Sequence, residues 1–227
     1  QGYIVDSDST RLLVLDDFTH PNVYTAHVPF SGVMYKAGYV AAKMNGVDNV
    51  RIYVANDKYC YIKEGTDGFI QGFTQNKNGY VDVLDLSLIN DDDTEGFQKR
   101  MLAYVDYAPE CSESSDMVLT FCGETIMGFL RFNRENPGSF YTVGIDAQMS
   151  DHSSDVPFSY VAHFDKVLST SISEWNDNRL QHYRRFGLKD GWVELVISES
   201  FRSELGPLSE QIHSHAIEME ECYEKNY

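Results

Sequence analysis

The 227 residues are 42% hydrophobic, 13% aromatic and 23% charged, an ordinary globular composition that excludes collagen-like, coiled-coil and disordered classes. Asp and Glu number 35 against 18 Lys and Arg, so the formal charge is −17 and the chain repels phosphate backbones unless it carries a basic patch. The densest basic cluster is the pair Arg184-Arg185, too short for nucleic acid, and no apolar run approaches the roughly 18–20 residues of a membrane span.

In chain order, the apolar run 11–15 predicts a buried strand ending at Asp16-Asp17, and the alternating 23–28 a second strand. Val33, Met34, Ala37, Val40, Ala41 and Met44 recur at three- and four-residue spacing, which predicts a helix from Ser31 with Ser31 as N-cap. A strand over 50–55, a helix over 61–75 and a strictly alternating strand over 80–88 follow. The acidic run Asp91-Asp92-Asp93 leads into a helix at 95–107, then come a strand at 117–122, a helix opened by Gly123-Glu124-Thr125 and a strand at 140–145. A polar loop over 147–157 precedes a short strand at 158–163, a helix at 165–183, a strand at 192–198 and a terminal helix at 207–224. Such continuous apolar strands alternating with helices predict an α/β fold of parallel sheets flanked by helices.

Several motifs read as structure more readily than as chemistry. Asp91-Asp92-Asp93 lacks the alternate ligand spacing, central Gly and closing Glu of a calcium loop, and acidic residues suit a helix N-terminus. His213 and His215 stand two apart on a helix and point to different faces, which is wrong for sharing an ion. The stretch GTDGFIQG (Gly65, Gly68, Gly72) does not follow a strand directly at phosphate-loop spacing, so its glycines are expected to let helices approach. Cys60, Cys111, Cys122 and Cys222 form no C-x-x-C pair, and Cys122 at the end of an apolar strand is expected to be a buried, inert thiol. No metal, cofactor or nucleophile constellation emerges, and the chain is expected not to be an enzyme. An enzyme using Asp146 or Glu124 as general base would need a partner acid or nucleophile that the sequence does not offer.

Ligands of open α/β sheets bind beyond the carboxyl ends of the strands. Three such ends are chemically suggestive. Phe121-Cys122-Gly123-Glu124-Thr125 sets an aromatic tip before backbone N–H donors, Gly144-Ile145-Asp146 sets a carboxylate at a strand end, and Ala55-Asn56-Asp57 offers a donor and acceptor in Asn56. Each group can equally do no more than cap the turn that follows it.

These segments carry a resemblance to the basic membrane protein family of substrate-binding lipoproteins, type I periplasmic binding proteins of which several bind nucleosides for ABC importers. Tyr35-Lys36-Ala37-Gly38-Tyr39-Val40-Ala41-Ala42-Lys43-Met44 is similar to that family's Y-L-A-G-x-x-A-A helix, and Gly65 through Phe73 resembles its G-F-x-x-G segment. Val118–Gly128, Val143–Asp146 and Gly187-Leu188-Lys189-Asp190-Gly191 match its later strand–loop–helix, V-G-x-D strand end and G-L-x-D-G turn. Glu124 stands where the family often has a glycine-rich loop, and His163 stands nearest to a common lysine.

The resemblance implies a two-lobed chain with an incomplete first lobe: 30–146 as second lobe, 1–29 and 158–227 returning to the first, and 147–157 as hinge loop. It implies that further first-lobe elements and a lipidated cysteine lie upstream of Gln1, in a bacterial cell-envelope protein whose membrane link is that anchor. The implied ligand is a small polar molecule, most of all a nucleoside or sugar-like solute, and the implied partners are ABC-transporter membrane subunits. Asp146 would accept bonds from sugar hydroxyls and Phe121 would pack on the base. Gly123, Glu124 and Thr125 with Ser31, Asn56 and His163 would complete the polar set. The competing expectation is a surface lipoprotein with an interaction or sensing role and no transported ligand.

Overall fold

The computed structural model describes residues 12–15, 23–55, 59–86, 115–123 and 125–225. The acidic run 91–93, the helix expected at 95–107, Asn56, Cys111 and Glu124 lie outside them.

Two parallel sheets carry the fold. In the first, β1 (Leu12–Val14) pairs with β2 (Val23–His27), and β2 pairs in turn with β8 (Tyr183–Arg185). In the second, β3 (Asn49–Val54) lies between β4 (Tyr80–Asp85) and β5 (Met117–Phe121), and β5 continues to β6 (Tyr141–Thr142). Past β6 a parallel bridge from Gly144 to Ser159 joins the antiparallel pair β7 (Phe158–Ala162) and β9 (Val193–Ile197) to this sheet. β5 is buried along its whole length, as the continuous apolar run MVLTF requires of a central parallel strand.

The helices distribute accordingly. α1 (Ser31–Lys43) is buried from Ser31 to Ala42, packed against α2 (Cys60–Thr74), β7, β9 and the terminal helices α5 (Arg202–Gln211) and α6 (His213–Lys225). α3 (Thr125–Glu135) follows β5, and α4 (Phe164–Asn176) lies by the first sheet, with Trp175 against the Tyr24 ring and Glu174 bonded to Arg184. α1 and α2 approach so closely that a Cβ on Gly72 would lie 2.0 Å from the Tyr35 carbonyl oxygen and one on Gly38 2.1 Å from that of Phe69. The GTDGFIQG glycines are thus a helix–helix contact.

Among the described residues the chain passes between the two sheets three times: at 28–30 from β2 to α1, at 163 from β7 to α4, and at 186–192 from β8 to β9. This corrects the division expected from the sequence. Residues 158–162 and those after 192 belong with the second sheet, because Gly144 lets Ser159 close on it (a Cβ there would sit 2.1 Å from Ser159 Oγ). Only 164–185 returns to the first sheet.

Three local expectations also change. The helix expected over 165–183 ends at Asn176, where Asn178 enters the left-handed region at φ 54°, and residues 183–185 become a strand. The helix expected over 207–224 is two helices meeting at Ile212. Ser31 is the first helical residue after Phe30, and its hydroxyl donates to a side chain instead of capping the helix.

Candidate functional site

The carboxyl ends of both sheets face one cavity of about 650 Å3. From the first sheet come Leu15, His27 and Val28. The second contributes Thr120, Phe121 and Gly123 beyond β5, Ile126 and Met127 on α3, and Ile145, Asp146 and Met149 beyond β6. Phe30, Tyr61 and Phe164 enter from the starts of α1, α2 and α4.

The walls are mainly apolar and aromatic. Phe30 lies 5.9 Å from Phe121 edge-on, 5.9 Å from Tyr61, and stacks on the buried Tyr160 at 4.1 Å. Phe121 owes its seat to Gly65, since a Cβ there would lie 2.6 Å from the ring. These contacts fix the rings before any ligand arrives, which lowers the ordering cost of binding.

Asp146 is the acidic group of the wall. Its backbone takes φ 67°, a left-handed conformation uncommon outside glycine, which turns it out of the strand end. Burial raises its carboxyl above the ordinary value, and no described residue donates a hydrogen bond to it. Among the described residues the wall holds no lysine or arginine. Asp146 is exposed to the solvent of the open cavity, so its carboxylate is free to accept from a donor-bearing ligand.

Behind the wall, the His27 ring meets Glu64 Oε2 at 3.4 Å, while Glu64 Oε1 accepts from Ser31 Oγ at 2.7 Å and from Arg185 at 2.9 Å. Burial alone would raise Glu64, but His27, Arg185 and Ser31 outweigh it and hold the carboxyl below its ordinary value. His27 and Arg185 come from neighbouring strands β2 and β8, in register, whereas Glu64 comes from α2. The cluster therefore ties the two sheets together beneath the cavity.

Of the residues singled out from the sequence, Phe121, Gly123 and Asp146 line the cavity. Ser31 lies behind it, its hydroxyl engaged by Glu64. Thr125 is buried too, with Oγ1 2.9 Å from Thr120 Oγ1 and 3.1 Å from the Cys122 carbonyl. The donors expected there are partly engaged, since the Thr125 and Ile126 amides turn to the carbonyls of Cys122 and Gly123 at 3.3 and 3.4 Å. His163 stands apart: it precedes α4, and its Nε2 lies 2.9 Å from Glu194. The next residue, Phe164, is the one that reaches the wall. Cys122 is buried and its thiol is pushed up to about 12, mainly by desolvation, so it is inert at neutral pH.

Sequence reasoning missed His27, Phe30, Tyr61 and Phe164. The same strand-end rule applied to 23–28 would have found His27. The aromatics sit at helix starts, where nothing in the hydrophobic period distinguishes a wall residue from a core residue.

No protein-family profile matches this chain, and no curated protein matches it in sequence. Solved structures do. A transcriptional activator of the comK gene from Bacillus halodurans is 15% identical with a TM-score of 0.69, over 90% of this chain and 69% of that one. An ABC transporter solute-binding protein from Aeropyrum pernix K1 is 16% identical with a TM-score of 0.63, over 93% of this chain and 63% of that one. A periplasmic binding protein/LacI transcriptional regulator from Alkaliphilus metalliredigens QYMF, complexed with D-xylulofuranose, is 11% identical with a TM-score of 0.60, over 83% and 69%. The chain thus spans about two thirds of these proteins' length, and identities this low speak for architecture alone. That architecture is the two-lobed α/β fold of type I periplasmic binding proteins, with a first lobe of three described strands.

Proposed function

We propose that this protein captures a small donor-rich solute between its lobes, with a nucleoside as the ligand class that the cavity suits best, and presents it for ABC-type uptake at the cell envelope. The observation that carries this reading is the pairing of preset aromatic walls with a carboxylate, Asp146, that no described residue engages, in a cavity built by both sheets. Its volume of about 650 Å3 falls in the range of small-molecule sites, roughly 300–1,000 Å3. Asp146 would accept from vicinal ribose hydroxyls, and Phe121 would pack on the base, where aromatic stacking contributes about 1–3 kcal/mol per base. Closure of the lobes would exclude water and strengthen both contacts. The position is extracytoplasmic in this reading, with a lipid anchor on the full-length protein.

Titration calorimetry with adenosine, guanosine, inosine, cytidine, uridine and ribose tests the ligand assignment. Saturable binding of at least one nucleoside is expected, and heats indistinguishable from dilution for all six would end it.

A second reading is a sensing role without transport, favoured by the comK activator and the LacI-type regulators among the similar structures. Crosslinking in whole cells separates the two. Recovery of ABC membrane subunits supports uptake, and their absence with binding intact supports sensing.

A further inference from the structure

The buried carboxyl of Glu220 on α6 reaches the 186–192 crossover, with Oε1 accepting from the Leu188 amide at 3.1 Å. Two glycines make its seat: a Cβ on Gly187 would lie 2.0 Å from Oε1, and a Cβ on Gly32 2.8 Å from Oε2. Oε2 is buried with no hydrogen-bond partner among the described residues. The next residue, Glu221, holds the outside of the same turn through Lys189 at 3.1 Å. The first crossover ends at α1, which carries Gly32, and the Phe186 amide bonds the His27 carbonyl at 2.8 Å. Glu220 is thus wedged where two of the described connections between the lobes meet.

The charged groups that face it are Arg185 from β8, His27 from β2 and Glu64 from α2, with the buried Tyr160 hydroxyl on β7. α1 presents Gly32 on its side of the seat, and Lys189 is turned outward to Glu221. Glu64 is already neutralised by Arg185, Ser31 and His27. Among the described residues Glu220 therefore shares Arg185 with Glu64 and forms no ion pair of its own.

We propose that Glu220 is a one-proton latch on the lobe connection: with its carboxyl protonated the 186–192 crossover stays seated on α1 and α6, and with its proton lost the crossover lifts to let water reach the charge.

Geometry sets the place of the latch, and burial sets its range, because desolvation pushes the seated carboxyl up to about 7 from an ordinary 4.5. The seated form therefore binds one more proton than the hydrated form between those two values. Its advantage is fully present below the lower value, falls by up to about tenfold per pH unit through the window, and is constant above the upper one. Glu64 is held below its ordinary value by His27, Arg185 and Ser31, so its midpoint lies on the acid side of that window.

Hydrogen exchange on the ligand-free protein tests the latch independently of any ligand assignment. After correction for intrinsic rates, protection of the Leu188 amide and its 186–192 neighbours is expected to fall by at least tenfold between pH 5 and 7 and to level off by pH 8. In Glu220→Gln the protection is expected to stay constant over the same range. Flat protection in the wild type, or an unchanged slope in the variant, overturns the proposal. Should Glu220→Gln fail to fold, Gly187→Ala decides: the latch requires its protection at pH 5 to match the wild type at pH 8, and wild-type protection at pH 5 overturns it.

Discussion

Glu64 and Asp146 are both acidic, but Glu64 is buried while Asp146 is exposed in the cavity wall, and their surroundings give them opposite roles. Glu64 is satisfied on each oxygen by residues 33, 37 and 121 positions away. Glu64→Ala would leave Arg185 and His27 buried without their acid, so a loss of about 3–5 kcal/mol in chemical denaturation is expected. Asp146 accepts no hydrogen bond from a described residue and sits at φ 67°. Asp146→Gly is expected to raise the stability of the ligand-free protein by about 1 kcal/mol through relief of that backbone. The same change should weaken nucleoside binding at least tenfold in calorimetry, since a hydrogen bond to a charged group contributes about 1.5–3 kcal/mol. A variant that is more stable and binds as well as wild type would remove Asp146 from the ligand site. Asp146 was legible in the sequence because a carboxylate at a strand end is a local pattern. Glu64 was not, because each of its partners is distant along the chain and its helix face carries no sign of them.

At the level of elements, the contact between α1 and α2 depends on missing side chains. In Gly72→Ala the gain in helix propensity, about 1 kcal/mol, is opposed by a Cβ falling 2.0 Å from the Tyr35 carbonyl oxygen. Backbone cannot yield as a side-chain tip can, so a net destabilisation of about 2 kcal/mol is expected in thermal or urea unfolding. Those glycines were readable as packing devices because the apolar period of 61–75 survives around them. Strands β3 and β5 were readable for the related reason that a buried parallel strand is apolar on both faces. β8 was hidden. Its sequence, YRR, has no apolar period, and it is a strand only because β2 offers a parallel partner: Arg184 turns to Glu174 and the Phe186 ring, and Arg185 to Glu64. Missing β8 also misplaced the last return between the lobes.

For the whole molecule, the cavity belongs to neither sheet alone, so ligand affinity and lobe geometry are one equilibrium. A nucleoside at one hundred times its dissociation constant is expected to add about 2.7 kcal/mol to stability, with the melting temperature rising as its concentration rises. Binding without that rise would mean that the unfolded chain takes up the ligand as well as the folded protein does, which a cavity built by both sheets does not allow. The two-lobe arrangement was legible from the order of strands and helices. The route of the chain between lobes was not, because it rests on one bridge at Gly144 and one short strand. The pairing of Thr25 with Tyr183 has a further consequence during synthesis. β2 leaves the ribosome early, yet its neighbour β8 emerges only after some hundred and fifty more residues have been translated, a delay of roughly eight to thirty seconds at about 5–20 residues per second. Throughout that interval an apolar strand waits with one edge unoccupied, a natural client for a holding chaperone and the place where premature release would begin to aggregate.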